Sequence, residues 1–466
     1  VKVRGFWLQL AGNSIEDELI PEATLIGLRW PKGVPPPPPA LSGYPQLRLW
    51  GNVFNHRGAD WHSVDRLCAR QKAGWCGASC RAPQRRLRQA RTGADWASRW
   101  EIHKKKFVRV METEAFYRLS EWRDMNLESE SASLAPFRLG PKFVERIWGT
   151  PDLRPWYDFV SAATPGKNPI GEVWLTGDDC LIKTGPLGGK TLSEVFAGHA
   201  VAMLGKAAAE RMEGQSPLLL KVIFAKEKLS VQVHPDDRLA QKYGQPRGKT
   251  ECWYALAADP GAEVAAGLKP GVTLDQVERE VADGTLEESL EILPIATGDM
   301  VYVDAGTVHA IWPGSVLLET QQNCDLTYRL FDYGRPRELH VAKALEATRL
   351  ETAAGKVTSV TLADRTVLVD REYFCVERIA VEGVRSGASM LGDDEPAGGL
   401  QYLFAAAGTG QITAAESGAF EPVDLASREL AAVPSSSPAW QIEDLGGLEL
   451  IRITPRFPAL SLAGGA

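Results

Sequence analysis

From Leu134 onward the chain alternates short apolar runs with Gly, Pro and Asp. The runs have strand length: EVWLTG (172–177), LLLKVIFA (218–225), LSVQVH (229–234), ECWYALA (251–257), MVYVDAG (300–306) and SVLLETQ (315–321). Many short strands divided by turn residues predict a β-sandwich or jelly-roll barrel. Helical spacing interrupts them in TLSEVFAGHAVAMLG (191–205) and in TLDQVEREVADG (273–284), which opens on a Thr with a Gln three positions on, the spacing of a capping box. Leu339, Ala342, Leu345 and Leu350 predict one more helix within 335–350. A second β-rich stretch follows, with TVLVDREYFCVERIAVEG (366–383), LQYLFAAAGTGQIT (400–413) and LELIRITP (448–455), and it predicts a second, smaller barrel.

Residues 1–130 have a different texture. They hold PPPPP at 35–39, RRLRQAR at 85–91, KKK at 104–106 and eight of the fourteen tryptophans, with no sustained period of 3.6 or 2. Their 21 Lys/Arg outnumber 14 Asp/Glu, whereas the chain as a whole carries −7. Basic runs interleaved with tryptophan suit a nucleic-acid arm. Without a recognisable motif, the expectation is instead a poorly ordered extension with no nucleic-acid partner, or upstream sequence ahead of a start at Met111 or Met125. Cys76, Cys80, His56 and His62 match no closed structural-zinc spacing, because both histidines precede the cysteines.

No apolar run approaches the length of a membrane span, and the first residues lack a secretory pattern. A cytoplasmic protein with no membrane partner is expected. Cys180, Cys252, Cys324 and Cys375 are scattered singly, which suits reduced, packed thiols.

The chemistry gathers in four places. In LSVQVHPDD (229–237), Ser230, Gln232 and His234 share one face of a strand while Val231 and Val233 face the other way. GKTECWY (248–254) sets Lys249 and Glu251 on one face by the same period. GDMVYVDAGTVHAI (298–311) ends a β-run on a glycine turn that lifts His309 to a barrel mouth, and DLTYRLFDYGRPR (325–337) supplies Arg329, Asp332 and Arg335. A lone strand histidine is more often a hydrogen-bonded core residue than a ligand. Here two of the four histidines beyond residue 130 interrupt apolar β-runs, and Gln232, His234, Glu251 and His309 together make a zinc shell of net charge −1. Beyond His340 the second barrel has no histidine, so metal chemistry is assigned to the first.

LSVQVHPDD, GKTE.WY, VHAI and ETQQN.DLTYRL.DYGRPRELH resemble the type I mannose-6-phosphate isomerases, zinc enzymes of the cupin superfamily, and in particular their short bacterial subgroup. APFRLGPKFVERIWG (135–149) and GEVW (171–174) resemble that family's N-terminal blocks. The likeness covers about 134–345 by motif and continues more weakly through the second barrel.

The resemblance implies a mainly β protein of two cupin-like jelly-roll barrels with a few helices. Residues 1–130 form the extension, 131–345 the catalytic metal barrel with helical insertions, and 346–466 a smaller barrel without ligands. It implies one zinc per chain on Gln232, His234, Glu251 and His309, with Lys249 and Arg329 in the active site and Ser230 near the phosphate. Arg335 is expected to join Arg329 and Ser230 on the phosphate. The implied reaction interconverts D-mannose 6-phosphate and D-fructose 6-phosphate through an enediol. The base is either Lys249, with its pKa depressed by zinc and arginine, or a carboxylate. Two departures stand out: Asp304 where the generic cupin motif has proline, which would loosen the turn and add a carboxylate near the metal, and glutamine for the first histidine, which is typical of the isomerases. The rival readings are a non-catalytic sugar-phosphate-binding regulator, an isomerase of a related aldose phosphate, and an iron dioxygenase, which would use more histidines.

Overall fold

The computed structural model describes residues 133–159, 169–390 and 399–457, together with Leu10–Ala11 (β1) and its antiparallel partner Thr24–Leu25 (β2). The expectations for residues 1–130, including the poorly ordered extension, the nucleic-acid arm and the group Cys76, Cys80, His56 and His62, lie outside the described residues.

Phe137–Leu139 (β3), Lys142–Thr150 (β4) and Ile170–Trp174 (β5) lead to helices Leu192–Leu204 (α1) and Lys206–Met212 (α2). Leu218–Ala225 (β6) and Val231–Val233 (β7) precede Asp237–Lys242 (α3), and Glu251–Ala258 (β8) and Glu263–Leu268 (β9) precede Leu274–Asp283 (α4). Leu290–Pro294 (β10), Met300–Val303 (β11), His309–Ile311 (β12), Ser315–Gln322 (β13) and Tyr328–Phe331 (β14) follow, then Val341–Ala347 (α5). The second half runs through Gly355–Lys356 (β15), Val360–Thr361 (β16), Thr366–Asp370 (β17), Phe374–Ala380 (β18) and Val384–Ser386 (β19). It ends with Gln401–Ala407 (β20), Thr409–Ala414 (β21), Val423–Ala426 (β22), Leu430–Val433 (β23), Trp440–Asp444 (β24) and Glu449–Pro455 (β25).

These strands make two antiparallel sandwiches. The first stacks β15-β11-β8-β13-β6-β5-β4 on β10-β9-β12-β7-β14, and the second stacks β16-β17-β18-β25-β20-β23-β3 on β19-β24-β21-β22. The alternation along β6 shows how the sequence builds the layers. Leu218, Leu220, Val222 and Phe224 face outward, into a core shared with Tyr402, Phe404, Ile451 and Ile453 of the second sandwich and with α1 and α2. Ile223 and Ala225 face inward, against Trp253, Val264 and Ile311. The outer face of the five-stranded sheet is covered by Val277 of α4 and by Ala344 and Ala347 of α5. Ile379, Leu403, Ile412 and Ile442 fill the second sandwich.

The two sandwiches repeat one topology. The order β11-β8-β13-β6-β5 matches β23-β20-β25-β18-β17, and β10-β9-β12-β7 matches β22-β21-β24-β19, strand for strand in chain order. The chain also crosses between them, since β3 joins the second sandwich through β23 and β15 joins the first through β11. No helix among the described residues is long and apolar enough to cross a membrane.

The helices depart from the sequence reading in detail. At α4 the Thr273 side chain accepts from Gln276 N, but the Gln276 side chain turns to Glu280 and Ser289, so only half of the box forms. A complete capping box instead joins Thr191 and Glu194 at the start of α1. The last helix is shorter than the 335–350 pattern implies, and Leu339 and Leu350 lie outside it and exposed. Arg335 and Arg337 pin Asp332, which keeps the segment before His340 as a turn.

Candidate metal centre and active site

A single cross-strand row organises the inner face of the five-stranded sheet. Gln232 on β7 is the direct partner of His309 on β12 and of Arg329 on β14. Tyr328 and Leu330 pack into the outer core, so the pleat turns Arg329 inward beside Gln232. His234 extends the same face by the strand period. From the opposite sheet, β8 brings Glu251.

His234, Glu251 and His309 are buried, and their ligand atoms lie within 4.8 Å of one another. His309 Nε2 is 3.4 Å from Glu251 Oε1, and His234 Nε2 is 3.6 Å from Glu251 Oε2. Tetrahedral zinc with bonds near 2.0–2.1 Å separates its donors by roughly 3.3–3.5 Å, so the spacing fits.

Both imidazoles are oriented through their other nitrogen. His234 Nδ1 donates to Leu326 O at 2.8 Å, and His309 Nδ1 donates to Thr307 O at 2.8 Å. A carbonyl can only accept, so each Nδ1 carries the proton and each Nε2 offers its lone pair to the cluster. Burial lowers the pKa of His234 well below its usual value and that of His309 to about 4, which keeps both neutral. His234 Nε2 is buried without a hydrogen-bond partner.

Gln232 adjoins the cluster and can turn its amide oxygen toward it. Its Nε2 lies 3.2 Å from His309 Nε2, while Ser230 Oγ donates to its Oε1 at 3.1 Å. Rotating the amide by half a turn directs Oε1 at the cluster and leaves Nε2 donating to Ser230, a hydroxyl that can also accept. Ser230 therefore sits behind Gln232, buried in the barrel.

Behind the cluster runs a line of buried charge that the strand patterns did not single out. Lys249 Nζ is 2.8 Å from Glu251 Oε2 and 3.8 Å from Glu319 Oε1, and Glu319 Oε2 is 2.7 Å from Lys221 Nζ. At the far end Arg146 and the Trp174 Nε1–H both donate to Glu172 Oε2 at 2.7 Å. Glu319, Lys221 and Glu172 thus belong to the interior, with half-buried Arg146 and Trp174 closing the line at its edge. The available signal was a lone charge in the middle of an apolar strand, Lys221 in LLLKVIFA and Glu319 in SVLLETQQ, at positions facing each other across β6 and β13.

The electrostatics follow from this alternation. Burial opposes charge on Glu319, but Lys221 and Lys249 outweigh it and hold its pKa well below the usual range. Burial also opposes charge on Lys249, and Glu251 and Glu319 reverse the effect, so its pKa is raised. Burial and the neighbouring Glu319 push Glu251 up to about 8, a repulsion that a divalent cation at the cluster would relieve.

Arg329 and Arg335 separate. Arg329 Nε is buried with no hydrogen-bond partner, and burial, then Arg337, lower its pKa. Arg335 instead donates to Lys228 O at 2.7 Å and to Glu227 at 3.1 Å, and it lines an outer groove with Val281, Asp283, Phe331 and Arg337. The structure brings Arg329 to the cluster row and leaves Arg335 elsewhere. Asp304 is also engaged in its own turn, accepting from Thr307 Oγ1 at 2.9 Å and from Ala353 N at 3.2 Å. It ties the turn at the place where proline would stiffen it. Gly306 in that turn has φ +95°, and a Cβ there would lie 2.7 Å from the Arg349 side chain, so the turn needs glycine.

The second sandwich has a counterpart without ligands. Glu377 and Arg452, on strands equivalent to β6 and β13, form a direct cross-strand pair with the signs of Lys221 and Glu319 exchanged.

The comparisons with known proteins agree with this geometry. Residues 136–273 match the phosphomannose isomerase type I catalytic domain. The chain is 32% identical over 337 residues to a mannose-6-phosphate isomerase of Streptococcus mutans, covering 68% of this chain and 97% of that relative. The crystal structure of the mannose 6-phosphate isomerase from Bacillus subtilis has a TM-score of 0.57 at 30% identity, covering 69% of this chain and 99% of that one. A mannose 6-phosphate isomerase bound with zinc and yttrium shares the fold at a TM-score of 0.53 and 17% identity, covering 70% of this chain and all of that one. With a ligand cluster, an interior line of charge and a relative matched over nearly its whole length, the chain belongs to the type I phosphomannose isomerase family of aldose-ketose isomerases.

Proposed function

We propose that the chain catalyses the reversible interconversion of D-mannose 6-phosphate and D-fructose 6-phosphate, with one zinc held by Gln232, His234, Glu251 and His309. The observation that carries this reading is the pair of Nδ1-anchored histidines converging on Glu251 at the donor spacing of a tetrahedral ion, beside Lys249 and Arg329. Bound there, zinc would act as a Lewis acid toward the oxygens on C1 and C2.

The side chains do the rest. A base removes the proton on C2 of the open-chain aldose, and a proton is placed on O1, giving an enediol. Loss of the proton on O2 and return of one to C1 then give the ketose. Lys249, with its raised pKa, enters as an ammonium that stabilises the developing oxyanion, and this favours a carboxylate as the base. Glu319, kept ionised by Lys221 and Lys249 behind the cluster, is too weak a base for this step and serves to anchor Lys249. Arg329 offers a guanidinium with a free buried Nε to the phosphate or the oxyanion, and Ser230 steadies Gln232 from behind. Arg335 acts on the phosphate only if its clasp on Lys228 and Glu227 opens.

The test is turnover of mannose 6-phosphate by the zinc-loaded chain, beside other aldose 6-phosphates. Preferred conversion of mannose 6-phosphate supports the proposal. Binding without turnover would favour a sugar-phosphate-binding regulator, and preference for another sugar a related isomerase.

A further inference from the structure

We infer that Asp237 is a positioning residue for Lys249, and that Tyr373 ties this device to the second sandwich. The inference rests on the proposed role of Lys249 in the isomerisation.

Lys249 is carried by a loop just ahead of β8, where no strand ladder holds it. Three consecutive amides of that loop are nevertheless engaged. Gly248 N donates to Asp237 Oδ1 at 2.7 Å, Lys249 N to Pro235 O at 3.0 Å, and Thr250 N to Gln322 Oε1 at 2.9 Å. Gln322 is itself held, because its Nε2 donates to the same Asp237 Oδ1 at 3.0 Å. Asp237 is thus the common anchor of the loop and of its second support.

The approach is close enough to require glycine. A Cβ on Gly248 would lie 2.4 Å from Asp236 C and from Pro235 O, so the loop backbone rests directly on the 235–237 turn. That turn follows His234, whose carbonyl accepts from Gly306 N at 2.8 Å, and Thr250 Oγ1 accepts from Ala305 N at 3.2 Å. The segments bearing His234, Lys249 and His309 are therefore stitched together beneath the site. The remaining oxygen, Asp237 Oδ2, accepts from Tyr373 Oη at 3.2 Å, and Tyr373 precedes β18 of the second sandwich. The second sandwich, which lacks ligands, thereby supports the first.

The contacts need an acceptor at Oδ1 and a polar partner for a hydroxyl at Oδ2, not a charge. Asparagine can supply both, because its amide can donate to Tyr373 Oη. In the zinc-loaded full chain, Asp237→Ala should lower kcat by about ten- to a hundredfold with KM and zinc content unchanged. Asp237→Asn should recover most of that loss. Hydrogen exchange at 248–250 should quicken in Asp237→Ala and, to a lesser degree, in Tyr373→Phe, which substitutes no residue of the first sandwich.

Unchanged exchange at 248–250 in both variants would overturn the inference, as would parallel loss of zinc and turnover or equal impairment by Asn and Ala. Should Asp237→Ala fail to fold, Tyr373→Phe decides. Absence of turnover in the unsubstituted chain would count against the isomerase reading, while the exchange measurement would still judge the clamp.

Discussion

Gln232 and His309 face each other directly across β7 and β12, with 3.2 Å between the amide nitrogen and the imidazole Nε2. One residue of register slip would turn both out of the barrel, so the hydrophobic alternation that fixes the sheet also fixes the cluster.

Lys249 lies beside Glu251 of the cluster, 2.8 Å from its carboxylate. Lys249→Ala should lower kcat by about 10²–10⁴-fold while one zinc per chain remains bound. Metal analysis and steady-state kinetics on the same preparation check this. Unaltered turnover would remove Lys249 from the mechanism.

The two arginines should part company. Arg329→Ala is expected to raise KM and lower kcat, because Arg329 pairs with Gln232 across β7 and β14 and its Nε is buried without a hydrogen-bond partner. Arg335→Ala should leave the kinetics nearly unchanged and lower Tm, since its partners are Lys228 O, Glu227 and Asp332. The opposite pattern would move the phosphate site to the outer groove.

Lys221 and Glu319 are a fully buried ion pair. Removing one partner strands a charge, so Lys221→Met should cost about 3–5 kcal/mol in unfolding free energy. Lys221→Met combined with Glu319→Leu should recover much of it, because the stranded charge is gone. Denaturant unfolding of the two single variants and the double variant measures the coupling. Simple additivity would mean that the pair does not act as a unit.

Glu172 gives a pH dependence of known sign. Burial works to raise its pKa, but Lys221, Arg146 and the Trp174 hydrogen bond outweigh it, leaving the pKa below the usual value near 4.5. A carboxylate depressed in the folded state contributes stability above its unfolded pKa and loses it as the pH falls through the folded one. Stability should therefore drop on acidification below about pH 4.5, and less steeply in Glu172→Gln. Equal slopes in the two proteins would argue against the ion-paired state of Glu172.

Much of this was legible in the sequence, for definable reasons. The strand at 218–225 has the predicted bounds, and the ligands stood out because Gln232 and His234 are polar at alternate positions of an apolar strand. Lys221 and Glu319 were harder to see, since each is a single charge whose meaning depends on its partner across the sheet. The repeat of the first sandwich in the second leaves little trace in the sequence. With Arg452 and Glu377 standing in place of the first barrel's interior charges, topology alone preserves the likeness. The helix expected over 335–350 forms only at Val341–Ala347, because ion pairs around Asp332, invisible to periodicity, hold the preceding chain in a turn.

The most direct test of the account is a titration of zinc into the chelated full chain, with mannose 6-phosphate turnover and bound metal measured at each step. The account predicts that activity returns in proportion to occupancy and saturates at one zinc per chain, and that His309→Ala neither binds the ion tightly nor recovers. Full turnover in the metal-free chain, or in a His309→Ala variant, would contradict it.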